Sequence, residues 1–270
     1  MPQKQVLITG AYGLIGNIVY SHLCSDRDRY EVYGLARRQQ PSDRIPRARL
    51  QMIPGDRFAL VDLTDWAGIQ RAVQGMDTVV HMAANPSQYA SWESVLQSNI
   101  TGTYHVLEAS RLAGVQRVII ASSVQVNFGY AEAEPYAAIL EGRCQDIPAT
   151  VPVLTHEQPA RPMNLYASSK VWGEALAHVY AHRHGMSCIC LRIGWVVAED
   201  RPPGEHCGAD WCSQRDIAQM VQRCIDAPES LRFDTFYAVS DNPHRFVDIE
   251  HARKVLGYAP QDGAQGSRSE

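Results

Sequence analysis

Through its first two-thirds the chain alternates short apolar runs with longer amphipathic stretches. The runs at 6–9, 31–35, 58–61, 78–82, 118–122 and 188–193 have strand length and almost no charge. Residues 14–24, 66–73, 92–113 and 166–184 repeat their apolar positions at helical spacing instead. The last two of these stop at Gly114 and Gly185, residues suited to the left-handed turn that ends a helix. Strands this apolar need cover on both faces. The pattern predicts an α/β fold, a doubly wound parallel sheet with helices on both sides.

Two segments break the alternation. Residues 124–165 are polar, proline-bearing and mostly irregular, with one helical turn predicted after Pro135. A connection that long is either a lid over a site or a surface excursion covering the sheet edge. Residues 195–260 hold a helix at 216–227, a strand at 236–240 and a helix at 249–256 that Asp248 is placed to cap. They predict a small substrate-binding region interleaved with the domain of residues 1–194, and residues 261–270 read as a disordered tail.

Composition narrows the partners more than the activity. A net charge of −4 gives no reason to expect nucleic acid or an anionic membrane. No apolar run has membrane-spanning length, and residues 1–5 lead directly into a strand, so neither a span nor a leader is expected. Seven scattered cysteines do not form a disulfide framework in a chain of this size, and reduced thiols in the cytoplasm are the expectation. Cys188 and Cys190 fall in a buried strand, and Cys207 and Cys212 are loosely spaced near His206, so no metal site is expected.

The chemistry lies in two motifs. Gly10-Ala11-Tyr12-Gly13-Leu14-Ile15-Gly16 joins the first strand to the first helix, where backbone N–H groups can approach a pyrophosphate. Tyr166-Ala167-Ser168-Ser169-Lys170 puts a phenol and an ammonium on one helix face. Together, in this order, they point to a nicotinamide dinucleotide and to proton exchange by a tuned phenol. After the second strand the chain reads Ala36-Arg37-Arg38, with no carboxylate to repel a 2′-phosphate and two guanidinium groups to bind one. NADP is favoured over NAD.

With Asp62-Leu63-Thr64-Asp65, His81-Met82-Ala83-Ala84, Asn99-Ile100-Thr101-Gly102, Ala121-Ser122-Ser123, Leu191-Arg192-Ile193-Gly194 and Leu256-Gly257-Tyr258 also in order, the chain resembles the extended short-chain dehydrogenase/reductase superfamily, the group of the nucleotide-sugar epimerases and dehydratases. The short C-terminal part, Arg161-Pro162 ahead of Tyr166 and Trp211-Cys212-Ser213 are most similar to the uronate and sugar dehydrogenase branch. The resemblance implies a Rossmann-type domain and a cofactor held by Gly10, Tyr12, Gly13, Leu14, Ile15, Gly16, Arg37, Arg38, Asp62, Leu63, Met82, Ala83, Ala84, Asn99, Tyr166, Lys170 and Ile193. It implies Tyr166 as acid–base, Lys170 as its tuning cation and Ser123 as the group orienting the substrate oxygen. Gln125, Asn127, Asn164, Trp195 and Trp211 are expected to face the substrate.

Two departures shape the expected reaction. No carboxylate follows Ser123 in Val124-Gln125-Val126-Asn127, which disfavours dehydration. His206 stands near the position where the uronate enzymes hold the substrate carboxylate with arginine, leaving Arg201 or Arg215 as substitutes and uronate itself disfavoured. The expectation is an NAD(P)-dependent oxidoreductase acting on an alcohol or carbonyl of a small sugar or sugar derivative. The alternative is a nucleotide-sugar epimerase that keeps its cofactor; a dinucleotide-binding protein without turnover would not need the serine, tyrosine and lysine together. Relatives pair through the helices at 92–113 and 166–184, so a homodimer is expected.

Overall fold

The structure, a computed structural model, describes residues 3–264. Seven parallel strands form one sheet: β1 (Lys4–Thr9), β2 (Tyr30–Ala36), β3 (Phe58–Leu60), β4 (Thr78–His81), β5 (Arg117–Ser123), β6 (Ser187–Ile193) and β7 (Phe233–Ala238), in the order β3-β2-β1-β4-β5-β6-β7. The order turns outward from β1 and β4 in opposite directions, which opens a crevice at their carboxyl ends. This is the Rossmann-type arrangement. Strand alternation sorts the core onto two faces. Ile8, Ile119, Ile189 and Leu191 pack on one side with α1 (Leu14–Cys24) and α7 (Gln214–Asp226). Leu7, Val118, Ile120, Cys188 and Cys190 pack on the other with α2 (Trp66–Ala72), α4 (Gly102–Leu112) and α6 (Leu165–His184).

The helix expected over 92–113 is three pieces. A short α3 (Trp92–Val95) leads into a π-helical turn, Leu96–Thr101, and then α4. The wider turn carries buried Asn99, whose amide bonds the backbone of Asn85 and the Ser169 hydroxyl, linking this helix to α6. Burying one amide with three partners supplies a local reason for the irregular turn.

Residues 124–165 are better ordered than expected. A 3-10 segment, Val124–Glu132, precedes the predicted turn after Pro135, which is α5 (Tyr136–Leu140). Val124, Ile139 and Leu154 form a third apolar cluster with Tyr237, Phe246 and Val247 of the C-terminal region. Leu154 bonds on both sides of Val247, through Phe246 O (2.8 Å) and Asp248 N (3.0 Å). His156 also stacks on His251 of α8 (Glu250–Leu256) at 4.1 Å, and Nε2 of His251 reaches both oxygens of Asp234. The insertion and the C-terminal region thus share one core.

Two expectations are corrected here. Cys144 and Cys207 form a disulfide across 63 residues, while Cys24, Cys188, Cys190, Cys212 and Cys224 are free thiols. The pairing was hidden because only the fold brings the insertion against the segment before α7. The predicted tail is also shorter: Gln261 and Asp262 donate their N–H groups to the buried carboxylate of Asp216, and Ala264 N bonds Asn242. Residues 265–270 of that prediction lie outside the described residues. Among the described residues, no helix is long and apolar enough to cross a membrane.

At the end of β4, His81 is buried between the Thr9 (2.8 Å) and Thr103 (3.1 Å) hydroxyls, and burial with the charge of Lys170 lowers its pKa to about 3. The unfolded chain binds that proton near pH 6.5, so stability is full above this value and is lost as pH falls toward 3. We expect urea-unfolding free energies to drop between pH 6.5 and 4 with a one-proton contribution of up to ~1.4 kcal/mol per pH unit, which His81→Gln removes.

Candidate active site

One continuous cavity of about 1170 Å³ runs along the carboxyl ends of the strands, large enough for a dinucleotide with a small molecule beside it. At one end it is shaped by the glycine turn. Gly10 has φ +69, and a Cβ there would meet Ala83 at 2.9 Å; a Cβ on Gly16 would lie 2.1 Å from the Gly10 carbonyl oxygen. Both positions therefore exclude side chains. Gly13 begins α1 without a side-chain cap and no acid occupies the first helical turn, so the helix presents open N–H groups to the cavity. These features fit a pyrophosphate.

Beyond β2 the wall passes through Ala36, Arg37, Arg38, Ser42 and Arg44. Ser42 N bonds the Tyr12 carbonyl (2.9 Å), which folds this loop over the glycine turn. Ser42 and Arg44 escaped the sequence reading because they lie in an aperiodic loop. Asp62 also reaches the cavity; the Thr64 N–H (2.9 Å) and hydroxyl (2.8 Å) hold its carboxyl below the usual range. Leu63, Met82, Ala83, Ala84 and Ile193 line the same trough, as do Tyr12, Leu14 and Ile15. Asn99 does not; it stands behind the wall.

Ser123, Tyr166 and Lys170 meet on the other side, where β5 ends and α6 begins. Asn164 caps α6 by accepting from Ala167 N (2.8 Å), which starts the helix just ahead of Tyr166. Lys170 Nζ donates to the Ala121 carbonyl (2.8 Å) and lies 5.5 Å from the Tyr166 ring centre. Burial raises the phenol above its ordinary pKa, and the Ser123 hydroxyl beside it pulls it back down. Burial lowers Lys170 to about 8, opposed by Glu174 one turn on. Desolvation thus outweighs the tuning expected from the ammonium.

Below these groups sits a buried polar network. Glu174 accepts both Arg192 Nε and Nη2 at 2.9 Å, and the Ser122 hydroxyl at 2.5 Å. Arg192 Nη1 donates to the Tyr237 hydroxyl (2.9 Å), which also accepts from Asn127 Nδ2 (2.7 Å). Asn127 is therefore turned into the core and does not face the cavity. Asn164 does not line it either, but its amide holds Gln125, which does. Trp195 lines the cavity; Trp211, paired beside it in a β-bridge, is buried. Ser240 N (3.0 Å) and Asn242 Nδ2 (2.8 Å) both donate to the Trp211 carbonyl and tie this residue to buried neighbours. The remaining wall is Val124, Phe128, Leu140 and Met163 from the insertion, with Glu205, His206 and Asp210 opposite.

A parallel sheet with a glycine turn and a serine–tyrosine–lysine group on one crevice defines a dinucleotide-dependent oxidoreductase. The chain belongs to the NAD dependent epimerase/dehydratase family, whose model matches residues 6–209. It is an NAD(P)-dependent enzyme of the extended short-chain dehydrogenase/reductase type. It is 31% identical to L-arabinose 1-dehydrogenase (NAD(P)(+)) of Haloferax volcanii over 96% of this chain and 97% of that protein. With the NAD-dependent glucose-6-phosphate dehydrogenase of the same organism it shares 32% identity over 97% of this chain and 94% of the relative. A crystal structure of a mutant uronate dehydrogenase from Agrobacterium tumefaciens complexed with NAD superposes with a TM-score of 0.78 at 26% identity, covering 98% of this chain and 87% of that one.

The glycine geometry gives a direct test. Gly16→Ala places a methyl group 2.1 Å from the Gly10 carbonyl oxygen and must spread the turn. Dinucleotide affinity is expected to fall about 100-fold or more by calorimetric titration, roughly 2.7 kcal/mol.

Proposed function

We propose that the protein is a sugar dehydrogenase, oxidising a hemiacetal or secondary hydroxyl of a small neutral sugar with NAD(P). The observation that carries this reading is the meeting of Ser123, Tyr166 and Lys170 in the same cavity as the glycine turn. The names of the relatives, which act on arabinose, glucose 6-phosphate and uronates, support a sugar as the substrate. The wall around Gln125 carries apolar faces from Phe128, Met163 and Trp195, and among its residues no arginine, which favours a neutral sugar over a uronate. Indole and phenyl faces suit the C–H surface of a sugar ring.

In this reading Ser123 orients the substrate oxygen and Tyr166 takes its proton. Nicotinamide, when bound, supplies the hydride acceptor. Lys170 holds positive charge beside the phenol and lowers the cost of the phenolate. Tyr166→Phe is expected to lower kcat by about 10²–10⁴-fold while leaving dinucleotide affinity almost unchanged. Turnover of this variant at the parent rate would remove the proton relay from the mechanism. Dinucleotide that stays bound through purification and does not exchange would favour a nucleotide-sugar epimerase using the same three residues.

NADP is the proposed preference. Arg37 and Arg38 line the cavity where an acid is missing at Ala36, and Arg44 adds a third guanidinium to that wall. Titration with both cofactors should show NADP binding tighter by ~1–3 kcal/mol, the worth of a charge-assisted phosphate contact; equal affinities count against it. We also propose a homodimer through α4 and α6, where Tyr104, Leu112, Leu165 and Val179 are exposed. Sedimentation velocity at micromolar concentration distinguishes this from a monomer.

A further inference from the structure

The disulfide lies next to the cavity. Cys207 follows His206, which lines it, and Cys144 lies four residues after Leu140, which lines it from the insertion. His206 and Cys207 are consecutive non-glycine residues with left-handed backbone, each at φ 52, a conformation that persists only when the surroundings impose it. On one side the loop is well held: Ala209 N bonds His206 O (2.8 Å), and Trp195 N bonds Asp210 O (2.7 Å). On the other, Arg201, Pro202, Gly204 and Glu205 are exposed. The cross-link joins Cys207, the residue directly after His206, to Cys144 and so ties the loop to the insertion. Cys144 is itself exposed and its neighbour Arg143 is tied to Glu134, Glu141 and Asp146, so the anchor is firm yet open to a thiol.

The His206 ring is oriented to match. Its Nδ1 donates to Asp210 Oδ2 (3.0 Å), and its ring lies edge-on to Phe128 at 5.4 Å and tilted against Trp195 at 5.8 Å between centres. Nε2 has no partner among the described residues. Burial opposes a charge on this ring, but the Asp210 bond and the negative charge of Asp210 and Glu205 outweigh it and raise the pKa.

We infer that the Cys144–Cys207 disulfide is a positioning element for the substrate end of the cavity, holding His206 so that Nε2 meets a substrate oxygen, and that reducing it weakens substrate affinity without touching dinucleotide affinity. The kinetic part of this inference rests on the sugar dehydrogenase reading. Reduction by a dithiol transfers two electrons and two protons: the S–S bond breaks to two thiols, and the reagent closes to its cyclic disulfide.

The full chain is compared with Cys144→Ser and His206→Gln, each before and after dithiothreitol. Thiol labelling of the unfolded protein should count five reactive cysteines before reduction and seven after. The His206 imidazole, assigned in NMR spectra by its absence from His206→Gln, should titrate at a raised pKa in the oxidised chain and return toward the ordinary range in reduced protein and in Cys144→Ser. With the sugar as substrate, KM should rise about tenfold or more on reduction and in Cys144→Ser, while kcat and dinucleotide affinity stay within about twofold. His206→Gln should show the same raised KM and no response to the dithiol. Seven reactive thiols at the outset, an unchanged His206 titration, or a fall in dinucleotide affinity matching the KM change each overturns the inference. If no sugar is oxidised by any form, the functional reading fails, and the His206 titration still decides whether the disulfide positions the ring.

Discussion

The Arg192–Glu174 ion pair is the interaction on which the active end of this molecule depends. Both side chains are buried, at 5% and 11% exposure, so neither charge is solvated by anything but the other and by Ser122 and Tyr237. Losing one partner from such a pair typically costs about 3–5 kcal/mol, far more than a surface contact. The pair joins β6 to α6 and fixes the rotation of that helix. Tyr166, Lys170 and Glu174 recur every fourth residue, so locking the last of them orients the first two. Ser122 ties the same carboxylate to β5, next to Ser123. The mutual placement of the three catalytic candidates follows from one satisfied charge pair beneath them.

The two halves of the cavity are built by different means. The end at the glycine turn rests on backbone: close approaches at Gly10 and Gly16 and open helix N–H groups, with one carboxylate whose oxygen is held by Thr64. The other half is side chains contributed by β5, α6, the insertion and the loop before α7. It depends on long-range contacts, since the insertion is joined to the C-terminal region through the Leu154–Val247 bridge, a shared apolar cluster and the disulfide. The first half tolerates little change of backbone. The second can alter its specificity by exchanging side chains.

That difference explains what was legible in the sequence. Sheet, helices and glycine turn are written in local periodicity and in residues with one conformational role, and the seven strands fall where the apolar runs are. Asn127, Asn164 and Trp211 were expected at the substrate wall because they lie near the right strand ends. Yet facing is set by partners such as the Tyr237 hydroxyl, 110 residues from Asn127, which no local pattern announces. The disulfide is the same case, 63 residues apart with no spacing signature. The docking of residues 261–264 was hidden because a polar stretch with two glycines close by reads as tail until the buried carboxylate it serves is known.

That carboxylate sets an order of events. Asp216 is fully buried on α7 and takes hydrogen bonds from Ser240 and from the N–H groups of Gln261 and Asp262. The residue supplying its 2.7 Å bond lies 45 positions later in the chain. During synthesis, then, α7 reaches the open before the groups that neutralise its desolvation exist. At roughly 5–20 residues per second that interval is a few seconds. Until it ends, docking α7 against α1, β5 and β7 buries an incompletely bonded carboxylate, so the face of the sheet that α7 covers stays open to chaperones through that interval.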